Sequence, residues 1–213
     1  MTTNYGKPPQ KAGRFDHVAC DEMMCFLYLP IRMKGGDDVR VPEPLKIFGD
    51  LIRRVCLWEP RGTYLYLTAK HLYVTPQNPG NRPGWHADGF GTDDVNYIWY
   101  DALPTIFCVQ DFHVSPDHER SMRQFEEQAR PENFVQYPPK TLLRLTQENI
   151  HRTPIFERGQ MRTFVKITSS LERYNLKGNA HNHLFDYDWK MYDREEVRNH
   201  PIHSEADVVR ETV

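Results

Sequence analysis

The chain contains no apolar run approaching the ~20 residues that a bilayer-spanning helix needs. Its opening residues, MTTNYGKPPQKAGR, lack the apolar stretch of about 7–15 residues of a secretory signal. The four cysteines (Cys20, Cys25, Cys56 and Cys108) form no C-x-x-C pair, which leaves out zinc-ribbon and thioredoxin-like motifs. They read as reduced thiols packed as small apolar groups, and a cytoplasmic protein with no membrane partner is expected. An excess of charge of one sign is also missing: 27 Lys and Arg against 29 Asp and Glu leave −2 over 213 residues. That balance gives no support to a general nucleic-acid binder, although a single modified base remains open as a substrate.

What is present is aromatic and imidazole chemistry. Eleven Phe, eleven Tyr, four Trp and ten His argue for a packed core and against a largely disordered chain. The length suits one domain, residues 1–213, that buries roughly 70% of its unfolded surface. Residues 1–14, polar and carrying Pro8-Pro9, are expected to be a loose arm. Residues 23–32 can form a strand, which Pro30 confines to an edge or an end. Leu45, Phe48, Leu51, Ile52 and Val55 recur at helical spacing and predict a helix within residues 43–58.

From there the period changes. Residues 63–75 (TYLYLTAKHLYVT), 105–112, 141–146 and 162–168 read as strands, with a Pro/Gly turn over residues 76–84. Residues 115–130 are charged and read as a solvated helix or an insertion. Beyond residue 170 strand patterning stops, leaving residues 171–213 as a C-terminal extension around a strand core of about residues 60–170. A helix followed by many short strands predicts a mainly β fold, a sandwich or jelly roll with flanking α-helices.

The chemical signal is His86-Ala87-Asp88, set between the Pro/Gly turn and Gly89. On a strand, residues two apart face the same way, so an imidazole and a carboxylate can grip one cation. His151, far enough downstream to belong to another strand, is available as a third ligand; its main rival is His113, only 25 residues beyond Asp88. Two histidines and a carboxylate leave adjacent coordination positions open, the arrangement of non-haem Fe(II) oxygenases. Eleven residues beyond His151 stands Arg162, a planar cation that cannot lose its charge and suits a carboxylate bidentately.

His86-x-Asp88, His151 and Arg162 resemble the Fe(II)/2-oxoglutarate-dependent dioxygenase superfamily, and the Gly-Trp-His-Ala-Asp-Gly context is similar to its phytanoyl-CoA-dioxygenase-like branch. The resemblance implies a double-stranded β-helix (jelly roll, cupin-like) core. His-x-Asp would lie near the end of its second strand, His151 on the seventh, and Arg162 at the opening of the eighth. It also implies Fe(II) held by His86, Asp88 and His151, with 2-oxoglutarate and O₂ as cosubstrates and Arg162 on the distal carboxylate of 2-oxoglutarate. Halogenating members lack the carboxylate that Asp88 provides, so the implied outcome is hydroxylation, with release of succinate and CO₂. Some branches carry serine where Phe164 stands here. Lys166, Tyr73, Gln77 and Thr105 are further cosubstrate candidates, and Trp85, Phe90 and Trp99 are candidates for a substrate rim.

Two other classes stay open: a metal cupin enzyme that works without 2-oxoglutarate, and a non-catalytic β-sandwich binding module. Net charge is unevenly spread, with eight Lys and Arg against three Glu over residues 140–177. A cleft of that sign suits a small-molecule or anionic substrate. Nothing in the sequence sets the oligomeric state.

Overall fold

A computed structural model describes residues 4–194; the rest of the expected C-terminal extension, residues 195–213, lies outside the described residues. The chain forms two antiparallel sheets. Strands β1 (Gln10–Arg14), β2 (Met24–Arg32), β3 (Tyr64–Val74), β4 (Val95–Tyr100), β7 (Thr141–Leu145) and β9 (Gln160–Ser170) build the larger, in the order β1-β7-β4-β9-β3-β2. Strands β5 (Ile106–Cys108), β6 (Phe134–Gln136) and β8 (His151–Arg152) build the smaller, in the order β6-β5-β8. Among the described residues two α-helices flank them, α1 (Gly49–Trp58), preceded by a 3₁₀ turn over Glu43–Phe48, and α2 (His118–Gln128).

Alternation along the central strands decides what each face meets. One face of β3, β4 and β9 carries Leu65, Leu67, Ala69, Tyr97, Trp99, Val165 and Ile167, packed with Leu45, Phe48, Leu51 and Val55 from α1 and its 3₁₀ lead-in. Fully burying each of these large side chains contributes about 1.5–3 kcal/mol. The opposite face turns Ile98, Tyr100 and Phe164 toward Phe107 of β5, so the two sheets meet through a second apolar cluster. A third, containing Trp85, Ile106, Phe112 and Phe125, packs the small sheet against α2.

Pro30 stands in β2, an outer strand of the large sheet, where its missing N–H is tolerated. The expected loose arm is instead ordered at Gln10–Arg14, which pairs with β7 in antiparallel register. The N–H groups of Gly6 and Lys7 also donate to the Glu148 carbonyl. The unpaired edge of β7 and the burial of Ala12 supply what the polar composition of the arm conceals. The strand expected over residues 105–112 closes to Ile106–Cys108, and β4, which falls among the aromatics after Gly91, has no counterpart in the sequence reading. No helix among the described residues is long and apolar enough to cross a membrane.

Candidate metal centre

His86 and His151 are brought together by backbone pairing. They face each other across an isolated antiparallel bridge, each N–H donating to the other's carbonyl at 3.0 Å. Directly opposed residues project from the same face, and the imidazole centroids lie 4.6 Å apart. Asp88, two residues on, comes to the same place: one ligand atom from each of the three side chains lies within 4.8 Å of the others. These three could hold a metal ion.

The rings are oriented before any ligand arrives. His86 Nδ1 lies 2.9 Å from the Gly84 carbonyl, and His151 Nδ1 lies 2.9 Å from the Asn149 carbonyl. A carbonyl only accepts, so each Nδ1 is the donor in its pair, which fixes the ring and leaves Nε2 as the atom available to a cation. Burial, reinforced by the neighbouring His151, lowers the pKa of His86 to about 3, which keeps the ring neutral at physiological pH. Burial would push the Asp88 carboxyl up, but Lys166, His151 and His86 outweigh it and hold it below the usual carboxylate range. Lys166 Nζ stands 3.2 Å from Asp88 Oδ2 and donates to the Tyr28 hydroxyl at 3.2 Å. Asp88 and Tyr28 in turn raise the Lys166 pKa against the effect of its burial. The donor set, two imidazoles and one carboxylate, fits divalent iron.

A cavity of about 240 Å³ opens beside these three side chains, lined also by Lys70, Arg82, Thr105, Arg152, Phe164 and Lys166. Its floor is the inner face of the large sheet: Thr68 lies opposite Lys166, and Lys70 opposite Phe164, in the register of β3 and β9. Tyr28 enters through an irregularity in β2 between Phe26 and Leu29, where its φ of +48° is the left-handed conformation that a non-glycine residue seldom takes. The bulge aims the phenol at Lys166 rather than along the strand.

Arg162 shares the face of Phe164 and Lys166 but sits one step back from the cavity. Its Nε donates to the Ala102 carbonyl at 3.1 Å, its guanidinium lies over the Phe164 ring at 5.1 Å, and one terminal nitrogen is buried with no partner. Burial lowers its pKa to about 10, so it remains charged.

The other expected residues divide. Thr105 lines the cavity, and Phe90 lines a smaller adjoining space of about 60 Å³ that shares Asp88, Arg82 and Lys166. Trp99 does not form a rim: strand parity turns it to the opposite face, into the core under α1. Trp85 packs on Phe134 with ring centroids 4.7 Å apart, beneath the guanidinium of Arg152. Tyr73 has the parity of Leu65, Leu67 and Ala69, away from the cavity, and is exposed near the strand end beside Gly159, and Gln77 is exposed in the turn; neither lines the cavity. Tyr28, Lys70, Arg82 and Arg152 escaped the sequence reading. Lys70 left a trace, a cation on a strand of Leu, Tyr and Thr. The two arginines left none, because only the fold carries them to the cavity.

No protein family matches the chain by sequence, and no curated protein matches it either. Among solved structures it is similar to the crystal structure of EvdO2 from Micromonospora carbonacea var. aurantiaca, at 14% identity and a TM-score of 0.36. The alignment covers 61% of this chain and 66% of that one, so the chain spans just under two thirds of the neighbour's length. A likeness of that size carries no argument about this protein.

Proposed function

We propose that the protein is an Fe(II)- and 2-oxoglutarate-dependent oxygenase built on a double-stranded β-helix, hydroxylating a small or extruded organic substrate. The observation that carries this reading is the convergence of His86, Asp88 and His151, with both imidazoles turned by backbone carbonyls to offer Nε2 beside a cationic cavity. Iron bound there, with 2-oxoglutarate and O₂, supplies the oxidising power, and the keto acid leaves as succinate and CO₂. The protein's own residues do the rest. His86, Asp88 and His151 hold the metal on one side so that the other stays open to small molecules. Arg162, with a buried nitrogen lacking an acceptor, and Lys70 supply positive charge for a dicarboxylate. Phe164 and Ile98 keep the cavity floor dry.

A cupin enzyme working without an organic cosubstrate more often presents a fourth protein ligand; among the described residues the cluster holds three. A binding module without chemistry has no need to bring the three side chains together.

The test is turnover of the purified protein. Succinate should form slowly from 2-oxoglutarate in the presence of Fe(II), O₂ and a reductant, and His86→Ala should abolish it. Failure of the metal-loaded protein to bind or consume 2-oxoglutarate would overturn the reading.

A further inference from the structure

Charge around the cavity exceeds what one dicarboxylate needs. Among the described residues, Lys70, Arg82, Arg152, Lys166 and Arg194 line it, Arg162 stands behind it, and Asp88 is its single carboxylate. On the reading above, a divalent metal and a dianionic 2-oxoglutarate cancel each other, and the lining remains cationic.

The partners of the two rim arginines sharpen this. Among the described residues, Arg82 reaches the ring nitrogen of His118 at 3.4 Å and the Met122 sulfur at 3.6 Å, neither an anion. Arg152 stands 3.9 Å from Glu126, too far for a hydrogen bond, and its Nε is buried with no partner. His118, Met122 and Glu126 recur every fourth residue on α2, so one face of that helix lies beside both guanidiniums. Lys70 differs: its ammonium already donates to the Gly80 carbonyl at 2.7 Å and to Asn81 Oδ1 at 3.0 Å, which ties down the turn that carries Arg82. Partly buried guanidiniums short of acceptors are costly unless a ligand supplies them.

We propose that Arg82 and Arg152 form the recognition site for the substrate to be oxidised, and that this substrate is a small organic oxyanion bearing a carboxylate or a phosphate. The proposal rests on the oxygenase reading for the identity of the cosubstrate, but the anion site stands on the arginines themselves. A planar fork binds an oxyanion bidentately, and both arginines line the same cavity as His86, Asp88 and His151. The site lies toward α2, whereas Arg162 is placed at the start of β9, so two anions have separate cations.

The experiment is calorimetric titration of inorganic phosphate, and separately of acetate, into Zn(II)-loaded protein saturated with 2-oxoglutarate. At least one anion should bind, the stronger one identifying the headgroup. Arg82→Gln and Arg152→Gln should each weaken it tenfold or more, with 2-oxoglutarate affinity changed less than twofold. Arg152→Lys should recover part of the loss, and circular dichroism should show each variant folded. Absence of anion binding while 2-oxoglutarate binds overturns this proposal and leaves the oxygenase reading standing. Anion binding that survives both glutamine variants reports on the metal alone and overturns it too. If 2-oxoglutarate does not bind, the oxygenase reading fails, and the same titrations on Zn(II)-loaded protein still decide whether Arg82 and Arg152 hold an oxyanion.

Discussion

Asp88 faces two demands at once: a carboxylate for a cation and a counter-ion for Lys166. Asp88→Ala removes both. It leaves the Lys166 ammonium, whose side chain is 11% exposed, without its anionic partner. Loss of one partner of a buried pair costs about 3 kcal/mol or more, readable in a urea titration of the metal-free protein. Metal affinity should fall by more than the roughly 10–100-fold that removal of a supporting residue costs. Metal binding within tenfold of wild type would remove Asp88 from the ligand set.

Arg162 behaves in the opposite way. Its buried terminal nitrogen has no acceptor, so Arg162→Met should leave stability within about 1 kcal/mol of the wild type, or raise it. The same change should weaken 2-oxoglutarate binding at least tenfold by calorimetry while metal affinity holds. Parallel loss of stability and binding would make Arg162 a packing residue. Lys70 adds a pH dependence. Burial, with Lys166 and Arg162 nearby, lowers its pKa from 10.5 to about 8. The cavity therefore keeps this charge below pH 8 and loses it above. Affinity for 2-oxoglutarate should decline severalfold between pH 7 and 9.5, and Lys70→Met should flatten that decline.

Single elements show where period alone suffices. The apolar spacing of residues 45–55 marks the side of α1 that meets the sheet, and Leu51 is fully buried there. Leu51→Ala should cost about 2–5 kcal/mol through lost burial and the cavity left behind, measured by denaturant unfolding. Strand β9 was equally legible, since RTFVKIT is dense in β-branched and aromatic residues, although it too is buried on both faces. Strand β4 was not. Asn96 and Tyr97 are both buried, one on each face, and a strand covered on both sides loses its alternation. The 3₁₀ lead-in before α1 was merged with the helix because the apolar positions continue through it.

Across the whole molecule, the N-terminal segment is structural rather than loose. Tyr5 stacks on Phe90 with ring centroids 5.4 Å apart, and Gln10–Arg14 closes the edge of β7. A chain beginning at residue 15 should unfold roughly 5–10 °C lower, for a loss of about 2–3 kcal/mol. An unchanged melting temperature would return the segment to the loose arm that its composition suggests. The segment also supports the wall near Asp88, because Phe90 lines the smaller cavity that Asp88 shares.

The sequence by itself determined the candidate donor set and the period of the main elements. His86, Asp88 and His151 are residue types whose donor atoms exist before folding, while the fold brings Asp88 alongside from a turn just past the His86 bridge. Apolar periodicity likewise marks the buried side of a helix without any partner in view. Only the tertiary structure decided which polar residues share the cavity. Register placed Lys70 opposite Phe164 and turned Trp99 away, a β-bulge aimed Tyr28 at Lys166, and α2 carried Arg82 and Arg152 to the rim. Those meetings join residues far apart in the chain, and a one-residue change in pairing would reverse every side chain concerned.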